Sequence, residues 1–302
     1  MADPRSCPVC GAPPEAATLF LEENIDAAKL SGFSYASRKA PEYMCHRLVR
    51  CTSCNLVYVA TPPAQEELAE AYHQAEYDSS EEANDAAAAY IHAMRPILNK
   101  LPRRGSAMEI GAGTGVLLEL LRGEGFSELV GMEPSSAAIA AAPPHRRAWL
   151  REGIFREEDF APESFDLICC FMTLEHVRDP LATTAAAARL LKPGGAFVSV
   201  THDYRSLVNR LLGKKSPIID IEHMQLFSDQ SIRTLFERSG LAGVTARPFH
   251  NTYSIRYWTR LAPLPHSLKA LAEKTLAITG LERMKLSVNV GNTLAGSFRA
   301  GP

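Results

Sequence analysis

Residues able to do chemistry fall into three groups in this chain of 302 residues. The first is a pair of CxxC motifs, Cys7-Pro8-Val9-Cys10 and Cys51-Thr52-Ser53-Cys54. A two-residue spacer lets both thiolates of a pair reach one tetrahedral ion, and four such ligands make a closed structural zinc site with no open catalytic position. The 40 residues between the pairs imply an inserted excursion, within which Cys45 and His46 are spare ligands. The second group is the string Glu109-Ile110-Gly111-Ala112-Gly113-Thr114-Gly115. Glycines between a strand and a helix let the backbone approach a nucleotide-like ligand. Glu133, closing the next strand, is placed to accept hydrogen bonds from both ribose hydroxyls. The third group is the histidines His176, His202 and His223, whose ring type titrates near working pH.

The elements that must position these groups follow from periodicity. Ala107 to Ile110, Glu128 to Met132, Phe165 to Phe171 and Ala196 to Val200 read as buried strands, and Val116 to Arg122 and an alanine-rich stretch from Ser135 read as helices. Such alternation predicts a doubly covered, mostly parallel sheet. Before it, Tyr90, Ile91, Met94, Ile97, Leu98 and Leu101 share one helical face, with a kink or break expected at Pro96. Arg47 to Arg50 and Leu56 to Val59 read as short strands of the cysteine region, which Pro62-Pro63 closes. Helical signals over residues 251–285 interrupt the final strand pair, and Leu294 to Arg299 is read as the last strand. Cys169 and Cys170 are read as core residues of their strand.

Composition bounds the function. Apolar residues make up 46 % and charged residues 22 %, values of a globular chain with a sizeable core. Lys and Arg number 32 against 34 for Asp and Glu, so nucleic acid is disfavoured as a partner. The cysteine region is equally neutral, with six basic and six acidic residues in its first 60 positions. No apolar run approaches the roughly 18 residues that span a bilayer. The opening residues lack the apolar stretch of a signal peptide, so a cytoplasmic location with reduced thiols is expected. A redox role for the cysteines would want a strand–CxxC–helix setting, which is missing.

The acidic residue before GxGxG and the acidic residue ending the following strand resemble the first two motifs of the class I S-adenosylmethionine-dependent methyltransferases. Further matches follow in order: Phe165-Asp166-Leu167-Ile168, then Leu174-Glu175-His176-Val177, then Leu191-Lys192-Pro193-Gly194-Gly195, then His223 with Phe227-Ser228. The resemblance covers roughly residues 65 to 300. It implies a Rossmann-like α/β fold with a seven-stranded, mostly parallel sheet. To this are added a zinc-ribbon-like module over residues 1–62 and a helical lid or insertion over 251–285 of a methyltransferase domain at 63–302. It also implies S-adenosyl-L-methionine as cofactor, with Gly111, Gly113 and Gly115 along the methionine moiety and Ala112 and Thr114 between them. Glu109 organises the loop, Glu133 and Pro134 meet the ribose, and the backbone of Ile154 and Phe155 meets the adenine. Phe171 lies beside the sulfonium, and Tyr72 or Tyr77 folds over the cofactor. His176 and His223 fall where relatives place residues near the acceptor, with His202 and Asp203 at the same mouth. They are the expected catalytic residues.

Cysteine pairs ahead of this domain resemble two groups. One is bacterial methyltransferases of sugars and other small metabolites, and the other is ribosomal RNA guanine methyltransferases with an N-terminal zinc finger. The expected activity is methyl transfer to an O or C atom of a small molecule: a sugar, natural-product or lipid intermediate. Tyr257 and Trp258 in the lid suit an apolar or ring-shaped acceptor. The alternatives are the RNA enzyme, which should show basic clustering on the cysteine module, and a non-catalytic binding protein. The acceptor and the oligomeric state are not legible in the sequence.

Overall fold

A computed structural model of the protein describes residues 4–35, 42–77, 80–262 and 264–300. The elements begin with strands β1 (Ala17–Leu21), β2 (Leu48–Cys51) and β3 (Val57–Val59), then helices α1 (Gln65–His73) and α2 (Ser80–Leu98). The central series is β4 (Ser106–Ile110), α3 (Val116–Gly123), β5 (Glu128–Glu133), α4 (Ser136–Ala141), α5 (Pro144–Arg147) and β6 (Leu150–Glu152). It continues through β7 (Phe165–Phe171), α6 (Pro180–Leu190), β8 (Leu191–His202), α7 (Leu207–Leu212), β9 (Gln225–Leu226) and α8 (Asp229–Arg238). The chain ends with β10 (Ala242–Ser254), α9 (Ile255–Leu261), α10 (His266–Thr279) and β11 (Lys285–Phe298).

Among the described residues the large sheet has seven strands in the order β10-β11-β8-β7-β4-β5-β6. The pairs from β8 to β6 are parallel, whereas β11 runs antiparallel to both β8 and β10. Every residue of β4 and β7 is buried, because helices cover both faces. Successive side chains go to opposite faces. Leu167 and Cys169 pack with α2 and α3, whereas Ile168 and Cys170 pack with α6 and α8. Both cysteines are fully buried core residues.

Three local outcomes differ from the periodicity. Pro96 lies inside α2, but in its last turn, so the helix ends two residues later instead of kinking. The cysteine region contains a third strand, β1, paired antiparallel to β2. The terminal helices begin only after Ser254, because β10 extends through that residue against β11.

The N-terminal strands do not form a detached bead. β3 pairs with β9 through Val57–Leu226 and Tyr58–Gln225, so the small sheet runs on into the segment that carries His223. Its cysteine end packs against Ile232, Leu235 and Phe236 of α8. Gln230 Nε2 donates to the Ser53 carbonyl at 3.0 Å, Arg238 donates to the Cys10 carbonyl, and the Tyr204 hydroxyl donates to the Asn55 carbonyl at 2.9 Å.

Candidate active site

A cavity of about 930 Å³ opens at the carboxyl ends of β4, β5, β7 and β8. Open α/β sheets bind ligands at that end. Its wall at one side is the glycine loop. Gly111 and Ala112 donate backbone N–H groups to the Met132 carbonyl at 2.9 and 3.0 Å, folding the loop back on β5. Gly111, Gly113 and Gly115 all have positive φ, between 52° and 78°. At Gly111 an added Cβ would overlap the Thr173 side chain, whereas at Gly113 it would meet nothing within 4 Å.

Glu133 is tied to this loop directly. One carboxylate oxygen accepts from Gly113 N–H at 2.7 Å and the other from Ser135 N–H at 2.8 Å. Burial pushes its pKa up, and these two N–H groups oppose the shift. A carboxylate offers about four lone-pair sites, so holding the loop leaves acceptor capacity for a pair of hydroxyls. Ser135 in turn caps α4 and donates its hydroxyl to the Ala75 carbonyl at 3.1 Å. That contact brings the segment of Tyr77 to the cavity wall. The Tyr77 hydroxyl is buried with no hydrogen-bond partner among the described residues.

Glu109, Gly111, Ala112, Gly113, Thr114, Glu133, Pro134, Ile154, Phe155, Phe171 and Tyr77 all line the cavity. Gly115 does not. It starts α3, and its open side faces Arg146 and Leu150. The pattern GxGxG marks three positive-φ positions, but only the first two lie on the cavity wall. Such a wall, with backbone pressed close, a buried carboxylate and an unsatisfied tyrosine hydroxyl, fits a nucleoside-bearing cofactor. Because Gly113→Ala adds a methyl group in open space, we expect it to keep the fold at a strain of about 1–2 kcal/mol and to weaken cofactor binding. Thermal unfolding beside a cofactor titration checks this; full affinity in the variant would contradict it.

The other side of the cavity carries three histidines, His202 from the end of β8 and His176 and His223 from two loops. The His176 and His223 rings lie 4.9 Å apart and the His202 and His223 rings 5.4 Å apart. His223 is buried, with Nδ1 2.9 Å from the Ile218 carbonyl. A carbonyl can only accept, so Nδ1 carries the proton and Nε2 is the basic nitrogen. His176 Nδ1 sits 3.1 Å from the Tyr72 hydroxyl and 3.7 Å from a Glu222 carboxylate oxygen. His202 Nδ1 lies 2.8 Å from Asn292 Oδ1, and the Asn292 amide donates to Asn251 Oδ1 at 2.7 Å. Burial pushes the His202 ring down to about 4, so it stays neutral.

Glu175 holds this mouth together and was not singled out by sequence reasoning, although it adjoins His176. Its side chain is fully buried. The carboxylate accepts from His202 N–H at 2.7 Å, and its backbone carbonyl accepts from Met224 and Gln225 N–H at 2.7 and 3.2 Å. One residue thus joins the ends of β7 and β8 to the segment of His223. Burial pushes its carboxyl from 4.5 up to about 7, against the pull of His202 N–H. With the folded value the higher one, this contribution to stability is complete below pH 4.5 and is lost as pH rises through about 7. Glu175→Gln keeps an acceptor and removes the titration. We expect it to gain stability over the parent at pH 8, on the order of 3 kcal/mol, and to match it at pH 4, below the unfolded value. Denaturant unfolding at the two pH values checks this, and parallel pH profiles would contradict it.

The four cysteines converge elsewhere, beside α8. Cys7 and Cys54 Sγ atoms are 3.6 Å apart, Cys10 and Cys51 Sγ atoms 3.5 Å, and all four ligand atoms lie within 4.8 Å of one another. Tetrahedral Zn–S bonds of about 2.3 Å place sulfurs about 3.8 Å apart. The donor set and spacing therefore fit a Cys₄ zinc ion. The spare residues lie apart from it: Cys45 Sγ is directed at the Glu22 carbonyl, and His46 Nδ1 lies 3.9 Å from Glu23.

Comparison with known proteins identifies the family. A family model described as a methyltransferase domain matches residues 79–246. The ubiquinone biosynthesis O-methyltransferase of Aromatoleum aromaticum is 26 % identical over 183 residues, covering 55 % of this chain and 78 % of the relative. That of Aliivibrio fischeri is 24 % identical over 166 residues, covering 49 % of this chain and 70 % of the relative. A solved methyltransferase structure from Archaeoglobus fulgidus is 15 % identical, covers 70 % of this chain and 94 % of its own, and has a TM-score of 0.48. The family match spans more than half of the sequence, so the chain belongs to this methyltransferase domain family and is a class I S-adenosylmethionine-dependent methyltransferase.

Proposed function

We propose that the protein methylates an oxygen atom of a small, largely apolar acceptor, with His223 as general base and His176 beside it. The observation that carries this reading is one cavity with the glycine loop and Glu133 at one side and three histidines at the other. The relatives' names, which specify O-methylation, favour oxygen over carbon. When bound, S-adenosylmethionine would supply a methyl group activated by its sulfonium, with the neutral thioether as leaving group. Glu133 and the backbone of residues 111–114 and 153–155 hold its nucleoside and amino-acid ends, and Phe171 and Tyr77 flank it. The acceptor rests against Tyr257 and Trp258, and its hydroxyl gives its proton to His223 Nε2. Asn292 and Glu175 hold the third ring, His202, in place. Alignment and exclusion of water account for most of the remaining acceleration.

Residues 1–62 act as a structural zinc module in this account, with Cys7, Cys10, Cys51 and Cys54 as ligands. Its neutral charge argues against a grip on RNA.

Methyl-labelled S-adenosylmethionine, incubated with the protein and a cell extract, tests the reading. Label should enter the small-molecule or lipid fraction as a methyl ether. Label confined to RNA, or a C-methylated product, would overturn it.

A further inference from the structure

Ten of the 13 large apolar side chains exposed among the described residues sit in two segments, 205–215 and 255–286. On α7, Leu207 and Leu211 are 70 % and 77 % exposed. On α10, Leu268, Leu271 and Ile278 are 50 %, 61 % and 77 % exposed and recur at three and seven residues, so they form one stripe. No described side chain of α10 is buried. A helix of 14 residues is marginal in water without a packed face.

The same segments carry ten Lys and Arg residues and two Glu, whereas the whole chain has 32 basic and 34 acidic residues. The rest of the molecule is therefore acidic, and its positive charge is concentrated where the apolar side chains are exposed. Leucines beside lysines and arginines are the signature of a segment that lies in a membrane interface, apolar face down and charges among anionic headgroups. A second copy of the chain fits less well, since an isologous contact would oppose two such positive faces.

Both segments also border the active-site cavity. Val208 and Leu212 line it from α7, and Tyr257, Trp258, Leu261 and Leu286 line it from the other segment. We propose that these segments dock the protein on an anionic bilayer surface, which sets the cavity mouth at the lipid–water boundary. The inference concerns adsorption, not spanning: no helix among the described residues is long and apolar enough to cross a membrane.

Co-sedimentation of the intact protein with lipid vesicles tests this without acceptor or cofactor, so it is independent of the proposed reaction. Binding to phosphatidylcholine vesicles containing phosphatidylglycerol should exceed binding to phosphatidylcholine alone by at least about tenfold and should fall with salt. Leu271→Glu combined with Ile278→Glu should abolish it, as should Lys214→Glu combined with Lys215→Glu. Circular dichroism and cofactor affinity should stay unchanged, since all four side chains are exposed and off the cavity wall. Absence of lipid-dependent sedimentation at low salt would overturn the proposal. So would a wild-type dimer in solution that the leucine–isoleucine variant dissociates.

Discussion

Replacing His223 by alanine lowers turnover by on the order of 10²-fold at saturating cofactor, with cofactor affinity unchanged. The size follows from what the ring does. Its Nδ1 is committed to the Ile218 carbonyl, which fixes both the tautomer and the plane of the ring. Alanine removes the proton acceptor while leaving the glycine loop and Glu133, on the opposite wall, untouched. His223→Gln should recover little, since an amide oxygen is a weak base. A raised KM with unchanged kcat would instead make His223 a binding group. An unchanged rate would remove it from the mechanism.

Replacing Cys51 by serine should have the largest effect on stability. Structural zinc supplies roughly 10–16 kcal/mol of apparent binding energy in small domains, and a hard hydroxyl is a poor substitute for a thiolate. Cys51 is also the last residue of β2 and is buried against the layer that includes α8. Loss of a zinc ion held there would therefore loosen the seat of the small sheet on the main body. We expect loss of the metal, and a fall in melting temperature on the order of 10 °C from a deficit of several kcal/mol. Metal analysis and calorimetry of parent and variant check this together. A parent protein free of stoichiometric zinc, with the melting temperature of the variant, would contradict it.

Because β3 continues into β9, the same change should reach the active site. Met224 and Gln225, which follow His223, bond to the carbonyl of Glu175 while Gln225 and Leu226 pair with β3. The cysteine module and the histidine mouth thus share one hydrogen-bonded strip of backbone.

How much of this was legible in the sequence depends on the range of the signal. The glycine loop, Glu133 and the alternation of strands and helices are local patterns, and each is written within a few residues. Ser135 announced a helix start and is an N-cap. What escaped reading is long-range. Glu175 looks like the neighbour of a histidine, and its part in joining β7, β8 and the His223 segment exists only after folding. The pairing of β3 with β9 joins positions separated by more than 160 residues. Nothing in the sequence near Val57 points to Leu226. Gly115 shows a different limit, since a shared positive φ does not tell which side of the turn faces the cavity. Pro96 shows the limit of a residue rule applied without its position in the helix.

Methyl transfer requires the cofactor seat formed by the glycine loop and Glu133, and direct binding tests that seat. Isothermal titration of S-adenosylhomocysteine into the intact protein should give one site per chain. Glu133→Ala, shown folded by circular dichroism, should bind at least about tenfold more weakly, since bonds to a charged group carry roughly 1.5–3 kcal/mol. Equal affinity in the two proteins would contradict the central claim, because the cofactor would then rest on residues other than the loop and the carboxylate that holds it.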